Sequence, residues 1–212
     1  MSKANKTAQD RRALIKAAAI ELFASRGFQA TPTSEVAKKA GVSEGIIFYH
    51  FQTKEGILVS LYEEIMEEFL VAIGKVLAES ADGLAAVVGC LDLQLAFSKE
   101  RSQETLIIVR DLPPSLGDAN SPFRERMESG KNRLLALLEK AIVKGQEDGS
   151  IRPCHPTQNA LVLLGFLTGM SKVRLLSSPD IPPFQEAVHD FCRHALASRP
   201  GYVDPSLQSR ER

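Results

Sequence analysis

The sequence predicts an all-α fold, with an N-terminal three-helix helix-turn-helix module followed by a larger C-terminal helical module. Three observations carry this. Residues 33–51, TSEVAKKAGVSEGIIFYHF, divide into two short helices around a glycine turn. From Lys54 onward apolar residues recur at helical spacing almost to the end, interrupted only where Pro and Gly accumulate. The charge is also uneven: residues 1–56 hold nine Lys and Arg against five acids, a net +4 that the rest of the chain cancels.

The first helix is marked by Ile15, Ala18, Ala19, Leu22 and Phe23, which share one stripe, and it stops at Gly27-Phe28. A second starts at Thr33, whose hydroxyl can cap the first turn, and turns Val36, Ala37 and Ala40 to one side. Gly41 follows where the chain must leave through a left-handed residue, and Val42 plugs the turn. Ser43 is an N-cap for a third helix that runs to Phe51. The pattern Ala37, Gly41, Ser43 suits a helix-turn-helix, in which the second helix offers its N-terminal part to base edges in the major groove. Ile47 and Phe51 are expected in the core against Leu22 and Val36. Gly45 lets the backbone approach the groove floor, and Ile46 suits thymine methyl groups. His50 has two compatible roles, DNA contact and a capping cation at the helix end. Thr53 caps a fourth helix that has Lys54 in its first turn.

Residues 11–58 resemble the DNA-binding domain of the TetR (tetracycline repressor) family of bacterial transcriptional regulators along their whole length. The resemblance lies in the L-F-x-x-x-G-F end of the first helix, the Thr33 start of the second, the A-G-V-S turn, the Y-H-F end of the third and the T-K-E-x-x-L start of the fourth. Pro32 stands where the family often has Thr, and Ile47-Phe48 replaces Leu-Tyr, so Phe48 lacks a hydroxyl for a phosphate. The resemblance implies that Tyr49 and His50 contact DNA and that Lys54 binds a phosphate. With the residues read above, the candidate DNA-binding set is Thr33, Ser43, Gly45, Ile46, Phe48, Tyr49, His50 and Lys54.

Beyond the fourth helix, Leu58, Leu61, Tyr62, Ile65, Phe69, Ala72, Ile73 and Val76 mark a long amphipathic helix to about Ser80. Residues 83–98 and 102–111 form two more, and LPPSLGDANSP then reads as a loop that gates an interior. Ser121-Pro122 opens a helix carrying Phe123, Met127, Leu134, Leu138 and Ile142, which stops between Gly145 and Gly149. Thr157 to Leu176 is apolar nearly all round, and Pro183 to Ala197 is a last amphipathic helix. A helix apolar on every side needs cover on every side, so its outer face is expected to meet a second copy, with Gly165 and Gly169 permitting close approach. In the resembling family the last two helices pair with their symmetry mates.

The expected division is a DNA-binding domain over 1–54, a ligand-binding and dimerisation domain over 55–198 and a disordered tail over 199–212. The family places an effector cavity among the middle helices, which nominates Phe69, Cys90, Gln94, Phe97, Arg110, Phe123, Met127, Phe166 and Met170. Gln94, Arg110 and Asp111 are the polar residues in the most apolar surroundings, although Arg110 can equally pair with a carboxylate at its helix end. The expected partners are a double-stranded DNA operator, a second copy in a homodimer and a hydrophobic small-molecule effector. The alternative is a regulator controlled by a partner protein.

No G-x-S-x-G, phosphate-loop, H-E-x-x-H or dinucleotide motif appears, so no enzyme is predicted, and neither cofactor nor metal. Cys192, His194 and His189 have the wrong spacing for joint ligation on one helix face. Cys90, Cys154 and Cys192 form no C-x-x-C and suit free thiols in a reducing cytoplasm. The polar N-terminus lacks a signal peptide's apolar core, no run is expected to reach membrane-spanning length, and no membrane partner is expected.

Overall fold

The computed structural model describes residues 3–111, 116, 118–176 and 183–198, with side chains from residue 9 onward. Nine helices lie among the described residues: α1 (Lys3–Arg26), α2 (Thr33–Ala40), α3 (Glu44–Phe51), α4 (Lys54–Glu79), α5 (Gly83–Glu100), α6 (Ser102–Asp111), α7 (Arg124–Glu147), α8 (Pro156–Leu176) and α9 (Gln185–Leu196). An isolated antiparallel bridge pairs Ile151 with Ala197.

Packing divides the chain into two units that are not consecutive in sequence. The first comprises Met1–Met66 and Arg101–Ser129, the second Glu67–Glu100 and Gly130–Arg212. The expected linear boundary after residue 54 therefore differs from the division by contact. The cause is apolar: Ile107 of α6 and Leu116 are buried in the same core as α1 to α3, and Phe123 and Met127 pack against it. Of the anticipated gating loop, positions 112–115 and 117 lie outside the described residues, as does the tail from 199.

In the first unit, α1 buries Ile15, Ala18, Ala19, Leu22 and Phe23, the i, i+3, i+4, i+7, i+8 pattern of one helical face. Phe23 meets Phe28 edge to face, with ring centroids 5.2 Å apart. Gly41 has φ 67°, and its amide bonds back to α2 while the Val42 amide reaches the Ala37 carbonyl at 3.0 Å. Two capping expectations are corrected. Pro32, not a hydroxyl residue, holds the N-cap position of α2, and Ser43 caps α3 by position without a side-chain bond. The Thr53 hydroxyl does accept the Gly56 amide, at 3.0 Å.

Arg110 ties α6 to α1. Its guanidinium donates to the Phe23 carbonyl at 2.6 Å, which also accepts the Gly27 amide at 2.9 Å, and to the Ala24 carbonyl at 3.3 Å in the last turn of the helix. Asp111 accepts from Arg110 at 2.7 Å and from the Phe28 amide at 3.3 Å.

The second unit has its own core. α5 supplies Ala86, Val87, Cys90 and Leu91, α7 supplies Leu138, Ala141 and Ile142, and α8 supplies Ala160, Leu163, Leu167 and Met170. The first turn of α5 lies directly on the backbone of α7, because a Cβ on Gly83 would fall 2.1 Å from the Gly145 nitrogen. α8 is two-faced within the chain. Leu163, Leu167, Met170 and Ser171 are buried, while Leu161, Val162, Val173 and Leu176 are exposed, Val162 by 57%. The expectation about membrane-spanning length is corrected here: α8 is long and apolar enough to cross a membrane by length and composition alone, with 28% of that window buried.

Candidate nucleic-acid interface

The eight residues expected to meet DNA all lie in the first unit, on α2, at the N-cap of α3, on α3 and at the start of α4. α3 is fastened from beneath by Ile47 and Phe51, 0% and 5% exposed, which join the core formed by Leu22 and Val36. That anchoring determines what the helix presents outward. Tyr49 is 79% exposed and Phe48 48%, a large aromatic surface turned outward, with the Tyr49 ring meeting the His50 ring edge to face at 5.1 Å. Ser43 and Gly45 are also exposed. A Cβ on Gly45 would meet only Ser43 Oγ, at an ordinary 3.8 Å, so the unit itself does not require glycine there. Ile46 is partly buried against the core, which leaves less of it for a thymine methyl than an outward-facing residue would offer.

Thr33, Lys54 and His50 are each engaged. The Thr33 hydroxyl donates to Glu44 Oε1 at 2.7 Å and so joins the start of α2 to the start of α3 instead of capping its own helix. The Lys54 ammonium donates to the carbonyls of Phe28, Gln29 and Thr31 at 3.0, 3.4 and 3.2 Å and sits 4.4 Å from the Phe28 ring centroid. Its three N–H donors match three acceptors, so it acts as a strut between α4 and the α1–α2 connection. His50 has its pKa lowered, by burial first and then by Arg12 and Arg11. In the free protein it is therefore a neutral imidazole near pH 7, and the capping cation anticipated at this helix end is disfavoured.

Two contributors were missed. Arg12 bonds Ser60 Oγ at 2.9 Å and lies 5.1 Å over the Phe51 ring, which with Arg11 brings a pair of cations to the C-terminal end of α3. The adjacent Arg11-Arg12 pair was visible, but only tertiary packing shows that α1 delivers it to this helix. Glu44, the acid in the first turn of α3, was visible too. The arrangement can do one thing chemically. It offers an exposed helix with aromatic and hydrogen-bonding tips, flanked by arginines, to a groove lined by phosphates.

Residues 15–61 match the family model described as bacterial regulatory proteins, tetR family. The fatty acid metabolism regulator protein of Bacillus subtilis is 30% identical over 135 residues, 64% of this chain and 68% of that protein. The chain belongs to the tetR family of bacterial regulatory proteins. Its fold is shared with the transcriptional regulator FadR of Bacillus subtilis in complex with stearoyl-CoA, at a TM-score of 0.72 and 21% identity, covering 88% of this chain and 97% of that one. It is likewise shared with AibR in complex with isovaleryl coenzyme A and operator DNA, at a TM-score of 0.67 and 22% identity, covering 89% and 98%. This TetR-family member is thus a DNA-binding transcriptional regulator with a helix-turn-helix, and its relatives are regulators, not enzymes.

The nine residues nominated for an effector do not gather in one unit. Arg110, Phe123 and Met127 belong to the first, where Arg110 closes α1 and the other two pack on its core. In the second unit Phe69 packs on Phe97, centroids 5.2 Å apart, and Gln94 Nε2 donates to Ser171 Oγ at 2.6 Å. Cys90 and Met170 are buried there, and burial pushes the Cys90 thiol up to about 12, which removes it as a nucleophile. Phe166 packs on the 58%-exposed Phe191 with centroids 5.3 Å apart. A recess of about 360 Å³ in this unit is lined by Asp82, Leu84, Ala85, Val88, Gly89, Asp92 and Arg193, none of them nominated.

Proposed function

We propose that the protein is a ligand-responsive transcriptional repressor that acts in the cytoplasm, where a homodimer reads a palindromic operator with its two α3 helices and lets go when a hydrophobic effector binds. The observation that carries the DNA half is the outer face of α3: Tyr49 and Phe48 are exposed while their neighbours Ile47 and Phe51 are buried. The dimer is supported by the exposed apolar face of α8 and by Phe191, and by Gly165 and Gly169, where an added Cβ would meet no other part of the chain within 4 Å.

Acyl thioesters of coenzyme A are the first effector class to test, because they stand in the names of two relatives' complexes. α4 is one helix whose first residues belong to the first unit and whose last belong to the second. A displacement along it changes the separation of the two recognition helices, which must match one turn of B-DNA, about 34 Å. Coupling of this kind is reciprocal: the factor by which ligand weakens DNA binding is the factor by which DNA weakens ligand binding.

The experiment is a titration of selected operator DNA with and without short- and long-chain acyl thioesters, paired with ligand titrations of free and DNA-bound protein. The expected outcome is an equal loss in both directions, on the order of 5–150-fold. A second reading, control by a partner protein, is favoured by the internal satisfaction of Gln94 and Phe97. It becomes the better one if DNA affinity is unmoved by every ligand class.

A further inference from the structure

We propose that Glu44 reads a base: its carboxylate, braced by the Thr33 hydroxyl at the start of α3, selects a cytosine amino group at one position of each half-site. This rests on α3 entering the major groove, as proposed above. Three features carry it. Glu44 is exposed on the N-terminal turn of α3, the part of a recognition helix that reaches base edges. Its Oε1 is held at 2.7 Å by a hydroxyl from another helix, so the side chain is oriented before DNA arrives. Its neighbours Ser43 and Gly45 are small and exposed, so nothing on α3 shields the carboxylate from a groove.

The chemistry then restricts the partner. A carboxylate only accepts hydrogen bonds. In the major groove guanine presents two acceptors, thymine an acceptor and a methyl group, and adenine a donor beside an acceptor, whereas cytosine presents its N4 amino donor. An acid next to phosphates is repelled wherever no donor meets it, so Glu44 discriminates by penalty as well as by contact. The competing account is local. An acid in the first turn favours the helix dipole, and its bond to Thr33 merely fastens α2 to α3. That account moves stability or affinity for all sequences alike, and it does not move base preference.

The test is selection of binding sites from a randomised duplex library by the parent, Glu44→Gln and Glu44→Ala, with thermal unfolding of each. The expected parent consensus has a cytosine at one position per half-site. Glu44→Ala loses preference there alone, by about five- to tenfold, and binds non-cognate DNA more tightly at low salt. Glu44→Gln shifts the same position toward adenine, which an amide can pair through both its donor and its acceptor. An unchanged consensus in both variants, or an affinity change uniform across sequences, overturns the assignment. A parent that selects no consensus overturns the DNA-reading function itself, and so is distinguishable from failure of the Glu44 inference alone.

Discussion

On the outer face of α3, Phe48 and Tyr49 stand exposed, whereas inside the second unit Gln94 is bonded to Ser171, Phe97 packs on Phe69 and the Cys90 thiol is buried. The two regions differ in what a partner must displace. On this face DNA meets two large exposed side chains, of which Phe48 is 48% and Tyr49 79% exposed, with Tyr49 resting on the edge of the His50 ring. An effector entering among α5 and α8 must exchange existing contacts for new ones, so its affinity is the difference between two sets of interactions. A surface turned outward can be read from one helix, while the lining of an interior looks like ordinary core.

Ile47 and Tyr49, two positions apart on one helix, have opposite surroundings, the first fully buried and the second exposed. Ile47→Ala is expected to cost about 2–5 kcal/mol of stability by thermal or denaturant unfolding. Tyr49→Ala should stay within about 0.5 kcal/mol in stability yet lose about 1–3 kcal/mol of operator binding. Equal melting of the two variants would dissolve the distinction between anchored and presented faces.

Lys54→Ala comes next. With the carbonyls of Phe28, Gln29 and Thr31 deprived of one donor, stability should fall by about 1–3 kcal/mol, and the slope of log K against log salt should match the parent's. A slope shallower by about one unit per protomer would show that the ammonium reaches a phosphate despite its carbonyls. In the second unit, Gln94→Ala should lower stability by about 1 kcal/mol, measured by unfolding. Loss of effector response at unchanged stability would instead put Gln94 in the ligand site.

The smallest effect is expected at His50. Its folded-state pKa is lowered, so the unfolded chain binds more protons as pH falls below the ordinary 6.5. Stability contributed by the neutral ring is complete above that value and is lost as pH falls through the lowered one. A plot of melting temperature against pH should therefore be flatter for His50→Gln than for the parent in this window.

Much of the reading module was legible because its signals are local. Gly41 ends α2 with positive φ, and the buried Ile47 and Phe51 stand four residues apart on one face of α3. What sequence could not give was long-range. Arg110 and Asp111 looked like polar groups in apolar company, and only the fold shows them engaging Phe23 and Phe28, over eighty positions earlier. Thr33 looked like a cap for the same reason, since nothing local points it toward Glu44. The nominated effector residues rest on the family resemblance, because apolar side chains at helical spacing carry no mark that separates core from cavity lining.

The clasp made by Arg110 and Asp111 has a consequence for synthesis on the ribosome. The recognition helix emerges early, but Ile107, Arg110 and Leu116, which close its supporting core, follow tens of residues later. At about 5–20 residues per second, the nascent chain carries α1 to α3 for several seconds without the segment that completes them. The core beneath the DNA-reading helix is therefore complete only after more than half of the polypeptide has been made. A translation pause placed before residue 101 would lengthen the exposure of an unfinished hydrophobic core, and a release after residue 129 would end it.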